Sequence, residues 1–174
     1  FEYTEMTDFG TLSFDGEYTA GYRVGAAYEI SEIALRAQII YRSAVDHSPD
    51  GSYTGFVPAS PPAPPGTFVL APGAYGVTGS GKTPQSVEAK FQTGIAPGTL
   101  AFGSVKWTDW SVIDTLDYVI AGVVPSQNEY YWEDGWTVSG GIGRQFSEGV
   151  AGSLSLTWDQ GVSTGYDILS DTWT

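Results

Sequence analysis

Alternation between apolar and polar residues constrains this chain more than any other feature of its sequence. Every second residue from Val24 to Ile30 is apolar, and the same period returns most clearly in 33–41 and 150–158. Successive side chains of a β-strand point to opposite faces, so the pattern predicts antiparallel hairpins with one apolar and one polar face. We expect strands near 17–30, 33–43, 85–95, 99–110, 136–146 and 150–159.

The connections between these strands fall into two sizes. Those near 31–32, 96–98 and 147–149 are short, whereas those at 44–84, 111–135 and 160–172 are long. Short turns at one end and long loops at the other are typical of outer-membrane barrels, whose long loops face outside. The sequence therefore predicts an all-β fold, an antiparallel up-and-down transmembrane β-barrel. The 174 residues would supply about six to seven of its strands as a single domain, 1–174.

Composition excludes several other classes. The net charge of −13 disfavours nucleic-acid binding, because the chain repels phosphate backbones. There is no cysteine, which excludes disulfides and zinc–thiolate sites. No apolar run approaches the roughly 20 residues of a membrane-spanning helix, but a barrel strand needs only about 9–11. No catalytic residue, metal or cofactor is expected.

The alternation alone fits a second fold, a soluble ligand- or carbohydrate-binding β-sandwich that would bury the apolar face in its core. Three features favour the barrel. Most cations fall on the polar face of the strands, most acids fall in the long connections, and aromatic residues cluster at strand ends, as in interfacial girdles. The expected partners are outer-membrane lipid or detergent and a hydrophobic small molecule.

Five cations are expected to line the lumen of the barrel. Their roles would be pairing with carboxylates such as Glu29, Glu88 and Asp159, or attraction of a ligand carboxylate. Arg144 falls on the other face, near a turn. The five are Arg23, Arg36, Arg42, Lys90 and Lys106.

The long connections contain apolar residues that are unusual for loops. We expect them to capture an apolar ligand outside the membrane. The residues singled out are Phe56, Phe68, Leu70, Tyr118 and Ile120.

Two motifs point to other chemistry. Gly76–Thr83 fits the spacing of a phosphate-binding P-loop, which predicts a nucleotide-binding enzyme as a further alternative. However, Pro84 follows where a helix must begin, and a strand pattern comes next. His47 is the only histidine, and we interpret it as a loop residue near the membrane surface.

Three segments resemble the FadL/TodX family of outer-membrane transporters. They are GYRVGAAYEISEIALRAQIIYRSAVDH (21–47), KTPQSVEAKFQTGIAPGTLAFGSVKWTDWSVIDTL (82–116) and WEDGWTVSGGIGRQFSEGVAGSLSLTWDQG (132–161). The most specific pieces are Tyr-Arg-Ser at 41–43 and Trp-Thr-Asp-Trp-Ser at 107–111. The resemblance covers about residues 17–165, in the family's order.

This resemblance implies a channel for passive uptake of long-chain fatty acids or aromatic hydrocarbons across a bacterial outer membrane, and not an enzyme. The family's barrel closes from about fourteen strands around an N-terminal plug. Six strands cannot enclose a plugged lumen, and an open sheet edge is not tolerated in lipid. We therefore expect this chain to be the middle of a longer protein, without the plug and the closing strands.

Overall fold

The structure is a computed structural model that describes residues 3–7, 10–59 and 63–164. These residues form thirteen β-strands and two short 3-10 turns, at Ser31–Ile33 and Trp110–Val112. The strands are β1 (Tyr3–Thr7), β2 (Gly10–Phe14), β3 (Arg23–Ile30), β4 (Leu35–Arg42), β5 (Val45–His47), β6 (Asp50–Pro58), β7 (Phe68–Thr83), β8 (Ser86–Ala96), β9 (Thr99–Thr108), β10 (Thr115–Ile120), β11 (Val124–Glu129), β12 (Gly135–Ser147) and β13 (Val150–Asp159). No helix among the described residues is long and apolar enough to cross a membrane.

The strands form two antiparallel sheets. One, here called the wall sheet, has the order β3-β4-β8-β9-β12-β13 and contains the predicted hairpins. The other, here called the distal sheet, has the order β1-β2-β6-β7-β10-β11, with β5 paired to β7. The wall sheet is open, with β3 and β13 at its edges.

Most strands of the wall sheet continue along the chain into strands of the distal sheet. Arg42 pairs with Ser86 in the wall sheet, and Val45 pairs with Thr83 in the distal sheet, so the strand offset does not change across the junction. Backbone hydrogen bonds continue a neighbouring hairpin in the same way, from Ser43 to Tyr22 and from Asp15 to Asp50. The hairpins built on β3–β4 and β8–β9 therefore start at a short turn, run through the wall sheet and continue into the distal sheet.

This continuation corrects the expected loops. Segments 44–84 and 111–135 contain β5, β6, β7, β10 and β11. Glycines and prolines weaken the alternation there, and residues 56, 69, 71 and 72 are left out of the β6–β7 pairing; residue 72 is a proline. Of segment 160–172, residues 160–164 are described and carry no strand, and the rest lies outside the described residues.

The register of the wall sheet sorts its side chains into two faces. Tyr41, Val87, Trp107 and Trp136 pair in one cross-strand row, which places an aromatic-rich band on the apolar face where the wall sheet meets the distal sheet. Further along this face Leu154 and Leu156 are 77% and 80% exposed. Among the described residues the extensive contacts between strands lie within each sheet, not between the two sheets. The β-sandwich alternative is therefore wrong, because its apolar face requires a second protein layer.

The distal sheet curls around a small core of its own. The buried residues are Leu12, Phe14, Tyr53, Leu70, Val77 and Ile120. The rings of Phe14 on β2 and Tyr118 on β10 lie 6.5 Å apart, although β6 and β7 separate their strands. In a flat sheet three strand spacings span about 14 Å, so the sheet must bend strongly to bring the rings together.

Candidate ligand-binding site

A mostly apolar cavity lies where the distal sheet meets the wall sheet. Its volume is about 390 Å³. Aromatic and aliphatic side chains from β2, from β10 and from the 3-10 turn after β9 contribute to its lining. The main lining residues are Phe14, Pro49, Pro84, Trp110, Ile113, Leu116 and Tyr130, with His47, Lys82 and Asp117 at the polar part.

Glycines of β7 make room for these side chains. A Cβ atom added to Gly79 would lie 2.9 Å from the Phe14 ring, and one added to Gly81 would lie 2.9 Å from Leu116. Both distances are shorter than real Cβ contacts, so only glycine lets the ring and the leucine approach β7 this closely.

The position of these glycines within β7 also contradicts the nucleotide-binding alternative. Gly76–Thr83 lies within β7 as extended, paired strand, and Pro84 leads into β8 rather than into a helix. A P-loop requires a turn whose N–H groups converge on phosphate at a helix N-terminus. Within this segment, Gly79 and Gly81 instead allow close packing against Phe14 and Leu116.

His47 joins three segments at the edge of the cavity. Its Nε2 lies 2.9 Å from Oγ1 of Thr83, and its Nδ1 lies 3.6 Å from Oε2 of Glu17. The backbone N–H of Ser48 donates to both carboxylate oxygens of Glu17, each at 3.1 Å. This side-chain contact replaces backbone pairing, and β3 consequently begins at Arg23 rather than near residue 17 as predicted.

A chain of polar contacts crosses the junction beside the cavity. Tyr41 donates to Oε1 of Gln85 at 2.8 Å, and Gln85 donates to Oδ2 of Asp109 at 2.8 Å. The hydroxyl of Ser111 donates to Oδ1 of Asp109 at 3.0 Å, and the backbone N–H of Ser111 donates to Oδ1 of Asp134 at 3.3 Å. These bonds hold the 3-10 turn Trp110–Val112, which presents Trp110 to the cavity.

Asp134 is the acceptor at one end of this chain. Burial alone raises the pKa of its carboxyl group, but hydrogen bonds from Ser111 and Trp107 outweigh that effect and lower the pKa below its ordinary value. The indole of Trp132 packs edge-on against Trp110, with ring centroids 5.4 Å apart, and Tyr130 lies 5.2 Å from Trp132. Aromatic packing and charged hydrogen bonds thus fix the same wall of the cavity.

The residues expected to capture ligand lie elsewhere. Leu70 and Ile120 are buried in the distal core, and Tyr118 packs against that core. Phe56 and Phe68 form an edge-to-face pair at 5.4 Å near the end of the β6–β7 hairpin. Leu70 and Ile120 are therefore corrected to core residues, because burial in the distal sheet leaves them almost no surface for a ligand.

Two of the cavity residues that were not predicted have features in the sequence that point to them in part. Trp110 belongs to the Trp-Thr-Asp-Trp-Ser segment, and Pro84 interrupts the strands at the junction. Nothing in the sequence brings Phe14, Leu116 and Gly81 together, because their proximity depends on the curl of the distal sheet.

The five expected lumen cations share one face of the wall sheet. Register pairs place Arg23 opposite Arg42, Lys90 opposite Gln38, and Lys106 opposite Glu88. Glu88 binds two of the five, Arg42 at 3.2 Å and Lys90 at 2.9 Å. No ion pair joins Arg23, Arg36 or Lys106 to another of the described residues.

Comparison with solved structures shows a likeness in fold. No protein-family profile matches the sequence, and no curated protein matches it. The structure is similar to the crystal structure of a FadL homologue from Pseudomonas aeruginosa, with a TM-score of 0.71 at 13% sequence identity. The match covers 88% of this chain and 37% of that one, so this chain spans little more than a third of that protein. The fold is accordingly that of part of a FadL-like barrel, as the resemblance in 21–161 predicts.

Proposed function

We propose that this chain forms part of the wall of an outer-membrane channel for passive uptake of hydrophobic molecules. We further propose that the cavity between the two sheets, here called the junction cavity, is the site that captures ligand on the outer side. The observation that carries the proposal is the apolar cavity placed at the aromatic end of a FadL-like wall sheet. Fatty acids and aromatic hydrocarbons are the ligand classes that the family resemblance implies. No step of this function makes or breaks a covalent bond.

The exposed apolar face of the wall sheet supports a membrane location. Wall strands of 8 to 13 residues suit the hydrocarbon thickness, for which about 9–11 residues are needed. Exposure to water is unfavourable for the apolar side chains of Leu154, Leu156 and Phe91, whereas exposure to lipid is not. The row of Tyr41, Trp107 and Trp136 lies at the level where amphipathic rings favour the headgroup region.

The opposite face would then line the lumen, with the five cations on it. Glu88 compensates Arg42 and Lys90, so for these two the proposed role is mutual pairing that holds neighbouring strands. Arg23 and Arg36 remain available for carboxylates of a plug or of another part of the barrel.

Blocking the cavity tests the capture site. Gly81→Val adds a side chain where Leu116 is already in contact, whereas Gly76→Val in the same strand adds it where no atom lies within 4 Å. Both variants are made in the complete protein that contains this chain and are expressed in a bacterial outer membrane. Uptake of a hydrophobic fluorescent compound is then measured, and heat-modifiable gel mobility verifies a folded barrel.

We expect Gly81→Val to lose most of the uptake and Gly76→Val to keep it. Equal uptake by the two folded variants would contradict a capture site in this cavity.

A further inference from the structure

We infer that the junction cavity selects uncharged hydrophobic ligands and discriminates against ligands that carry a carboxylate. This inference rests on the proposed function of the cavity as a capture site, and it narrows the chemical class of the ligand. It follows from the charges at the cavity and around it.

The cations at the cavity are already compensated. Nζ of Lys82 lies 3.2 Å from Oδ1 of Asp46, its direct cross-strand neighbour. His47 lies between Thr83 and the carboxylate of Glu17. Among the described residues at the cavity, a ligand carboxylate therefore meets no cation that lacks an anion.

Acidic groups outnumber the cations at this site. With His47 neutral, the formal charges are one positive, on Lys82, and three negative, on Asp46, Glu17 and Asp117, which leaves −2. Like charges repel, and the repulsion is stronger where water is partly excluded than in bulk water. A carboxylate entering the cavity must overcome this repulsion in addition to losing its hydration.

The surroundings of the cavity have the same sign. Segments 10–22, 43–85 and 109–134 contain ten carboxylates and a single lysine. The charge of Glu129, followed by burial, raises the pKa of the nearby Tyr131 phenol, as expected in a negative potential. The carboxylates are Asp15, Glu17, Asp46, Asp50, Asp109, Asp114, Asp117, Glu129, Glu133 and Asp134.

An uncharged ligand experiences no such repulsion, and its polar group loses much less hydration free energy than a carboxylate does. Phe14, Trp110, Ile113 and Leu116 offer it aromatic and aliphatic surface, and its transfer from water is favourable in proportion to the area it buries. The cavity thus discriminates between two ligands of equal apolar chain length by the charge of their head groups.

A matched ligand pair tests this selection. The complete protein in detergent is titrated with 12-bromododecanol and with 12-bromododecanoate near pH 9, well above the usual pKa of a carboxylic acid. Bromine quenches tryptophan fluorescence on contact, and Trp110 lines the cavity. Gly81→Val supplies the background from micelle partitioning, and Asp46→Asn exposes Lys82 without altering a lining residue.

We expect the alcohol to bind about tenfold more tightly than the carboxylate, equivalent to about 1.4 kcal/mol. In the Asp46→Asn variant, the affinity for 12-bromododecanoate should rise by most of this factor, while the affinity for the alcohol stays the same. Carboxylate binding as tight as that of the alcohol in the unaltered protein would overturn the selection but leave the capture site standing. Quenching by both ligands at the level of Gly81→Val would overturn the capture site and the selection together.

Discussion

The indole N–H of Trp107 donates a hydrogen bond of 3.0 Å to Oδ2 of Asp134, which ties the end of β9 to the start of β12. Trp107 belongs to the aromatic row of the wall sheet, and the second oxygen of Asp134 accepts the backbone N–H of Ser111. One carboxylate therefore holds both the end of β9 in the wall sheet and the 3-10 turn that carries Trp110. The positions of Trp107 in the aromatic row and of Trp110 in the cavity wall therefore depend on the same carboxylate.

Replacement of Asp134 by asparagine tests this dependence. The amide retains one acceptor but loses the charge that strengthens its two hydrogen bonds, so we expect the free energy of unfolding to fall by about 1 kcal/mol. Glu133→Gln is the matched control, because that neighbouring side chain is exposed. Urea titration in detergent measures both variants. An equal effect of the two substitutions would show that the Trp107–Asp134 contact contributes nothing particular.

The lowered pKa of Asp134 gives the stability a pH dependence of known sign. A carboxyl group whose pKa is lower in the folded state contributes stability above its unfolded value, near 3.8, and this contribution disappears as the pH falls through the folded value. We therefore expect the difference in unfolding free energy between the unaltered protein and Asp134→Asn to shrink as the pH is lowered from about 5 to about 2. A difference that grows toward acid would have the wrong sign for this account.

Sequence patterns predicted the wall sheet well, for a simple physical reason. Its two faces meet different environments, so residues such as Leu154 and Ser155 must alternate, and the strand edges of 150–159 follow from that alternation. The turn near 96–98 was equally readable, since Gly98 adopts a positive φ of 66° that favours glycine.

The distal sheet could not be read in the same way. Tyr53 and Val77 are buried only because the sheet curls, and no two-residue period marks Leu70 and Val77 as members of one core. Glycines such as Gly79 look like loop residues in a sequence, yet here they serve close packing between strands. The cavity was unpredictable for the same reason, since its lining comes from segments about 30 to 100 residues apart.

The contrast between two glycines of β7 predicts a difference in stability. Gly79→Ala places a methyl group 2.9 Å from the buried Phe14 ring, whereas Gly76→Ala places it in open space. We expect Gly79→Ala to lower the free energy of unfolding by about 1–3 kcal/mol, as overpacking does, and Gly76→Ala to leave it nearly unchanged. Denaturant unfolding of both variants measures the difference. Equal stabilities would mean that Phe14 does not pack against β7 as described.

The turn between β10 and β11 offers a stabilising substitution. Ala121 and Gly122 have positive φ values of 54° and 68°, and the N–H of Val123 donates to the carbonyl of Ile120 at 3.1 Å. Alanine is strained in this left-handed conformation by about 1 kcal/mol, whereas asparagine tolerates it. Ala121→Asn should therefore raise the melting temperature, and Ala121→Val should lower it because a β-branched side chain is strained most there. A lower melting temperature for Ala121→Asn would contradict the turn geometry.

The central claim is that lipid covers the apolar face of the wall sheet, and single cysteines introduced into this chain, which has none of its own, test it directly. Single cysteines at 39, 91, 154 and 156 on the apolar face, and at 38, 90, 153 and 155 on the polar face, are spin-labelled in the complete protein in lipid bilayers. Relaxation by oxygen, which concentrates in lipid, is compared with relaxation by a water-soluble nickel complex. The account predicts high oxygen and low nickel accessibility at every position of the first set, with a lower oxygen-to-nickel ratio at each position of the second. The reverse ratio, or no difference between the two faces, would contradict it.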